Sequence, residues 1–187
     1  MKKFLLTLTL CGLTLIAKSQ NASVEESTFG IQTGFLGVWV HNETKLSNSI
    51  ALRTELGFDS GIWGGDFYSK TGFLMTPVIT AEPRWYYNLN KRENKSRRID
   101  GNSGNFISLK TSYHPDWFVI SNTDNVSVIS DISIIPTWGI RRNIGKHFTY
   151  ETGFGIGYRY YFSKSAGYLE NEGEVDVNLH LRIGYRF

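Results

Sequence analysis

The last thirteen residues of the chain, from residue 175 to the end, alternate between apolar side chains and polar or small ones without a break. Successive side chains of a β-strand point to opposite faces, so such a strand has one apolar and one polar face. The polar face here carries three ionisable residue types: arginine, aspartate and histidine. A soluble sheet can use a strand of this kind, but a charged face opposite a wholly apolar one is typical of a wall between lipid and a wet lumen. The segment therefore predicts one strand of a membrane barrel.

The first twenty residues have the pattern of a secretory signal peptide. Two lysines precede an apolar run from Phe4 to Ile16, and small or polar residues follow at 17–20. The run is too short to cross a bilayer as a helix. We therefore expect residues 1–20 to be cleaved on export and residues 21–187 to form a single outer-membrane domain. Cys11, the single cysteine, lies within the apolar run, so we expect no disulfide or thiol chemistry in the mature chain.

The formal net charge of the expected mature chain is zero. The full sequence has 20 basic and 17 acidic residues, and three of the basic residues but no acidic residue lie in the first twenty. This balance argues against nucleic acid as a partner. Aromatic residues make up 14% of the chain and glycine occurs 19 times, which fits an all-β design.

The alternation recurs along most of the mature chain and predicts seven strands. They lie at about 29–40, 46–57, 73–88, 105–119, 126–142, 147–162 and 174–187. Several of these runs are longer than soluble strands, and about 9 to 11 tilted residues are enough to cross an outer membrane. Because bacterial single-chain barrels have even strand numbers, we expect an eighth strand within 21–28 or 58–72.

Four prolines, at 77, 83, 115 and 136, fall inside or at the end of these runs. Proline cannot donate to a β-ladder, so bulges, early strand ends or a slip in parity are expected beside them. The predicted fold class is nevertheless all-β: an antiparallel transmembrane barrel of about eight strands.

The alternate positions that form the polar face of the predicted strands carry thirteen charged residues, which we expect to face the lumen. They are Arg53, Glu55, Glu82, Arg84, Lys110, Asp116, Asp131, Arg141, Glu151, Arg159, Asp176, Arg182 and Arg186. Six acids against seven bases predict mutual pairing, because an unpaired buried charge is costly and an eight-stranded interior is just wide enough for side chains to fill. A narrow pore for ions or small solutes, lined by the same residues, is the alternative.

Aromatic residues collect near both sets of predicted strand ends, as in the two girdles of membrane barrels. The girdle residues are Trp85, Tyr87 and Trp138 on one side, together with the terminal Tyr185 and Phe187, and Trp117, Tyr158, Tyr160 and Phe162 on the other.

The signal peptide, the alternating strands and the closing segment Leu181-Arg182-Ile183-Gly184-Tyr185-Arg186-Phe187 resemble the small outer-membrane β-barrel proteins of Gram-negative bacteria, in the OmpA-like and OmpX-like size class. The resemblance covers about residues 29–187. It implies a location in outer-membrane lipid, and it implies that Leu181, Ile183, Tyr185 and Phe187 serve as the signal read by the barrel assembly machinery. It implies no particular activity.

One set of residues suggests chemistry. Ser112, His114 and Asp116 share one parity of a predicted strand and could suggest acyl transfer. The His-x-Ser pair of lipid A deacylases is missing, and alternate residues on a strand lie about 6 to 7 Å apart, too far for a direct relay. A lipid A-modifying hydrolase or acyltransferase is therefore an alternative only. No metal-ligand spacing is present, and we predict no catalytic, cofactor or metal residues.

The sequence thus predicts a non-enzymatic barrel with a structural or surface-interaction role. We expect the loops at about 58–72, 120–126 and 163–173 to make contacts, with Trp63 and Tyr68 as the best candidates. We predict that the basic segment 91–98 is a solvent-exposed connection between two strands on the periplasmic side. The sequence does not identify a loop partner or an oligomeric state.

Overall fold

The computed structural model describes residues 22–35, 37–64 and 71–187. The strands are β1 (Ser27–Gly34), β2 (Gly37–Lys45), β3 (Ile50–Trp63), β4 (Gly72–Trp85), β5 (Asn105–His114), β6 (Ile120–Ser121), β7 (Asp131–Ile144), β8 (Phe148–Tyr161) and β9 (Glu172–Arg186). The helical segments are short: α1 (Leu89–Glu93) and two single turns of 3-10 helix, Asp100–Asn102 and Ser163–Ala166. No helix in the described ranges is long and apolar enough to cross a membrane. The predicted signal peptide and Tyr68 lie outside the described residues.

Eight of these strands form a closed antiparallel ring. Consecutive strands pair from β1 to β5, β5 pairs with β7, β7 to β9 continue the sheet, and β9 pairs with β1. The remaining strand, β6, has two residues and pairs with Leu74 and Met75 of β4. The predicted all-β antiparallel barrel is confirmed.

The eighth strand of the ring arises because the first predicted strand, 29–40, is in fact two strands. That segment is a hairpin in which β1 ends at Gly34, β2 begins at Gly37, and the two glycines pair. Gly37 has a φ of +148°, and a Cβ there would collide with the backbone of β3, so glycine is required at this turn. In the sequence, two apolar residues stand between these glycines in place of the usual Asn-Gly or Asp-Gly, so the turn could not be recognised. The expectation of a separate strand within 21–28 or 58–72 is wrong.

The prolines disturb the sheet less than predicted. Pro77, Pro83 and Pro136 lie inside strands whose registers stay constant on both sides of them. The β4–β5 and β7–β8 ladders each lack two positions near a proline and then resume in the same register. A missing N–H thus removes a local hydrogen bond without inserting a residue. Pro115 does coincide with an early strand end, because β5 stops at His114.

Polar side chains line the inside of the barrel and apolar side chains cover the outside. On β7, Ser133 and Arg141 are buried, whereas Ile134 and Trp138 are exposed. The buried residues of the described chain are mostly polar or charged, and most large hydrophobic side chains of the ring are exposed. This is the reverse of the distribution in soluble proteins. Ile135 is an exception, because it is apolar and faces inward.

The two ends of the barrel differ. We call the end at which β1 begins and β9 ends the terminal end, and the opposite end the loop end. An apolar cluster closes the terminal end, built from residues 22–24, the 86–104 connection and the adjoining strand starts. Its members are Ala22, Val24, Ala51, Tyr86, Leu89 and Phe106, with Ile99 packed against them. The basic segment 91–98 also lies at this end, on the same side as the C-terminus.

The wall is low on one side. β1 and β2 have eight and nine residues, against fourteen in β3, β4, β7 and β8. β9 pairs with β1 over residues 182–186 alone, so within the described chain residues 172–181 lack a partner on that side. Residues 60–63 of β3 likewise lack a partner on β2. We call the resulting gap above Phe35, between β3 and β9, the notch.

Candidate functional site

The lumen beside the terminal end is filled by buried ion pairs centred on Glu43. Its Oε1 accepts hydrogen bonds from Arg53 at 3.1 Å, from Arg84 at 3.2 Å and from Arg141. Glu43 lies on β2 and the arginines lie on β3, β4 and β7. All four side chains are almost completely excluded from solvent. One carboxylate oxygen therefore links four strands across the interior.

The second oxygen of Glu43 binds the connection that closes the terminal end. Oε2 accepts hydrogen bonds from the Tyr86 hydroxyl at 2.9 Å and from the Asn102 amide at 2.7 Å. Burial and the charge of Glu43 raise the pKa of the Tyr86 phenol, so it remains a donor. Farther out in this connection, two hydrogen bonds from Arg98 lower the pKa of the Asp100 carboxyl. The connection and the ion-pair network thus form one hydrogen-bonded unit.

Arg84 and Glu151 form a bidentate pair at the centre of the network. The two guanidinium nitrogens of Arg84 lie 2.9 and 2.8 Å from the two carboxylate oxygens of Glu151. One of these nitrogens also donates to Glu82 at 2.7 Å, and the guanidinium carbon lies 4.2 Å from the centre of the Phe106 ring. Parallel charge-assisted hydrogen bonds of this kind are among the strongest in proteins, so the pair orients β4 against β8.

Glu55 extends the network away from the terminal end. It accepts hydrogen bonds from Arg53 and from Arg182, the latter at 2.8 and 3.1 Å. The Arg182 guanidinium lies 3.8 Å from the centre of the Trp39 ring, within the range of a cation–π contact. Arg182 is therefore held between a carboxylate and an aromatic face.

The charges of this network balance. Four buried glutamates face four buried arginines: Glu43, Glu55, Glu82 and Glu151, with Arg53, Arg84, Arg141 and Arg182. Balance matters because each charge removed from water is costly unless a partner and further hydrogen bonds compensate it. Seven of these eight residues belong to the lumen set predicted from the sequence. We call the eight residues the plug.

The remaining predicted charges lie in other places. Arg159 donates to Asp176 at 2.7 Å and lies 3.5 Å from Asp131, nearer the loop end. Arg186 lies at the terminal end, where it pairs with Glu25 at 2.9 Å.

The prediction is wrong for Asp116, which is exposed and lies beyond the end of β5. Pro115 ends the strand, so the alternation no longer determines which way the following side chains face. Lys110 does lie in the lumen, but it belongs to no ion pair among the described residues.

Two interior acids were not predicted. Glu43 was missed because the first predicted strand stopped at residue 40, and Asp59 because the next stopped at 57. Recognition of the glycine-flanked hairpin would have placed Trp39, His41 and Glu43 on one inward parity. The two glycines, Gly34 and Gly37, are the one trace of that turn in the sequence, and without polar turn residues between them they did not identify it.

Above the plug, the lumen contains a cavity of about 750 Å³ that opens at the loop end. Arg182, His180 and Lys110 line it next to the plug, and its walls are largely apolar. The apolar lining includes Trp39, Leu74, Val128 and Ile135, with Phe35, Leu179 and Leu181 at the notch. The plug therefore fills the half of the lumen beside the terminal end, and the cavity occupies the other half, where Asp59, Asp131, Arg159 and Asp176 also line it.

His114 joins three strands at the side of this cavity. Its Nδ1 lies 2.9 Å from Asp131 Oδ1 and its Nε2 lies 3.0 Å from Asp59 Oδ2. An imidazole donates from both nitrogens only in its protonated form, so the geometry suits a histidinium. The Ser112 hydroxyl instead lies 2.9 Å from that of Thr80. The serine, histidine and acid considered for acyl transfer thus form no relay within the described chain.

Several predicted surface residues face outward. Trp85 and Tyr87 pack edge to face, and Trp138 donates to the Tyr87 hydroxyl at 2.9 Å near the terminal end. Tyr160 and Phe162 pack together near the loop end. The other girdle residues, Trp117 and Tyr158, and the assembly-signal residues, Leu181, Ile183, Tyr185 and Phe187, are all exposed.

Trp63, expected in a loop, is the last residue of β3, and its ring packs over Gly72 of β4. Tyr68, the other predicted contact residue, is outside the described chain. Trp63 is half-buried at this hairpin tip.

Among the described residues no group of three or more histidine, cysteine, aspartate or glutamate side chains is placed to hold a metal ion. Comparisons with protein-family models, with curated proteins and with solved structures found no match for this chain.

Proposed function

We propose that this chain is an outer-membrane β-barrel protein with a structural or surface-interaction role and no enzymatic activity. One observation carries the proposal: the barrel is polar inside and apolar outside. Leu181 is 68% exposed on the outer face, while its neighbour Arg182 is 3% exposed in the lumen. An apolar surface that surrounds the whole ring favours association in water and is favourable against hydrocarbon.

The outward aromatic residues support the same proposal. Trp138 lies six strand positions from Ile132, which pairs with Tyr160 on β8. That separation is about 20 Å along the strand, or about 15 Å along the barrel axis at a strand tilt of about 40°, and the apolar band of outer-membrane barrels is about 25 Å tall. Aromatic rings at both borders of such a band sit at the level of the lipid headgroups.

The plug favours a non-conducting barrel over the narrow pore. Ions crossing the lumen would have to displace Arg84 and Glu151 from a bidentate pair that is buried beneath the closed terminal end. We expect the purified protein to give no stepwise conductance in planar bilayers. Regular single-channel steps would favour the pore.

The membrane location is tested by a matched pair of substitutions on β9. Leu179→Arg places a charge on the apolar outer face, whereas Val175→Arg places it near the loop end of the same face. Charges cost about 2–4 kcal/mol at the bilayer midplane and about 0–1 near its borders, so the first variant should fold far less well into lipid vesicles. Folding is measured by heat-modified gel mobility. A signal-cleaved chain that is a soluble monomer without detergent would overturn the proposal.

A further inference from the structure

We infer that the cavity above the plug binds a small amphipathic anion, with its carboxylate against Lys110 and its apolar body along the cavity wall. This goes beyond the proposed function, which assigns no ligand to the lumen.

Lys110 is a cation at the inner end of the cavity, and it has no partner among the described residues. It lies on β5 between Ser108 and Ser112, both of which are buried inside the barrel, and it lines the cavity. Within the described chain its ammonium group makes no hydrogen bond and no ion pair. A lysine ammonium has three donors and no acceptor, so a ligand bound beside it would supply acceptor atoms.

The carboxylates around Lys110 are already engaged by other donors. Asp59 lines the same cavity as Lys110, and Glu55 and Glu82 also lie near its ammonium group. Glu55 accepts a hydrogen bond at 2.8 Å, Asp59 accepts two at 2.7 and 3.0 Å, and Glu82 accepts two at 2.6 and 2.7 Å, all from other residues. The local arrangement therefore leaves donors, and no unpartnered carboxylate, facing this part of the cavity.

Arg182 provides a second, independent indication. Its side chain is nearly fully buried and lines the same cavity, and its Nε has no hydrogen-bond partner in the part of the chain that the structure describes. Lys110 and Arg182 line the same cavity, so their two positive charges share one space. An oxyanion between them would satisfy the free donors of both groups and offset the repulsion between them.

The walls determine the rest of the ligand. Leu74, Val128 and Ile135 line the cavity, and Leu179 and Leu181 continue the apolar surface to the notch. A volume of about 750 Å³ is within the range of sites for drug-sized molecules. A single carboxylate on an unbranched alkyl chain fits this combination: the acid group lies at Lys110 and the chain runs toward the notch.

The test is calorimetric titration of the full-length mature protein in lipid nanodiscs, with empty nanodiscs as the blank. The probes are dodecanoate, dodecanol and dodecyltrimethylammonium, which share a chain and differ in charge. We expect dodecanoate to bind at least about tenfold more tightly than dodecanol, because one charge-assisted hydrogen bond contributes that much affinity. Dodecyltrimethylammonium should bind most weakly of the three. Equal affinities for dodecanoate and dodecanol, or no binding of any probe, would overturn the inference.

Substitutions identify the residue. Lys110→Met should bring dodecanoate affinity down to that of dodecanol and leave dodecanol affinity unchanged, whereas Lys110→Arg should keep the preference. Lys164→Met, the same change at an exposed position near the loop end, is the matched control and should behave as the parent. A Lys110→Met variant that retains the preference for dodecanoate contradicts the assignment. If Lys110→Met does not fold, Lys110→Gln replaces it, and the comparison of the three probes on the parent protein still decides.

Discussion

Replacement of Glu43 by glutamine tests the plug most directly. Glutamine keeps the size of the side chain but removes the charge that three arginines share. Arg141 depends on it most, because its next carboxylate, Glu151, is 3.9 Å away and two of its own nitrogens have no hydrogen-bond partner among the described residues. The plug of four acids and four arginines would become a plug of three acids and four arginines.

The size of the effect follows from the geometry. At 3.1 Å and an effective dielectric constant of about 20, one glutamate–arginine contact has a gross Coulomb energy of about 5 kcal/mol. Part of this is offset because the glutamine oxygen still accepts hydrogen bonds. Loss of one member of a buried ion pair typically costs about 3–5 kcal/mol, and we expect Glu43→Gln to lower the free energy of unfolding by that amount.

Reversible urea unfolding of the protein folded into lipid vesicles, followed by tryptophan fluorescence and gel mobility, measures this change. Glu26→Gln is the control: Glu26 forms an exposed pair with Lys45, so the loss should be at most about 1 kcal/mol. Adding Arg141→Met to Glu43→Gln restores charge balance and should recover part of the lost stability. A Glu43→Gln protein within about 1 kcal/mol of the parent, or a double variant that is less stable than the single one, would refute the reasoning.

Three further predictions concern packing, acid stability and assembly. Gly139→Ala would push a methyl group into the Phe106 ring, and we expect a loss of about 1–3 kcal/mol in the same unfolding assay, whereas Gly61→Ala, with its nearest neighbour at 3.5 Å, should change little. The pKa of Asp100 lies below its unfolded value of 3.8, chiefly because of Arg98, so its contribution to stability is present above that value and is lost as pH falls through the lower, folded pKa. Asp100→Asn should therefore flatten the decline in unfolding free energy on acidification below about pH 5, and an unchanged slope would contradict this. Phe187→Ala should lower the amount of folded barrel in cells while refolding from urea into detergent keeps the parent yield; equal losses in both would indicate a structural role instead of an assembly signal.

Residue type and strand parity were enough to predict which side chains face inward on most strands. Parity is local, because consecutive side chains alternate whatever the partner strand is. Arg53, Glu82 and Arg141 could therefore be assigned to the lumen from the sequence. Asp116 could not be assigned in this way, because side chains alternate between the two faces only within a strand. The strand stops before Pro115.

The strand count and the centre of the plug needed the closed ring. The β1–β2 turn has no polar turn residues, so its position became evident only from the pairing of Gly34 with Gly37. Once the hairpin is folded, Glu43 faces the same space as Arg141, which lies 98 positions away in the chain. No local pattern links residues so far apart.

The sequence by itself determined a wall with one apolar and one charged face, since that depends only on a repeat of two residues. The tertiary structure alone decided which charges pair, that the plug fills one half of the lumen, and that Lys110 faces an open cavity in the other. The physical reason is that the barrel closes when β9 pairs with β1. The register of that closed ring determines which side chains share the lumen, and the lengths of its strands determine where the wall leaves the lumen open.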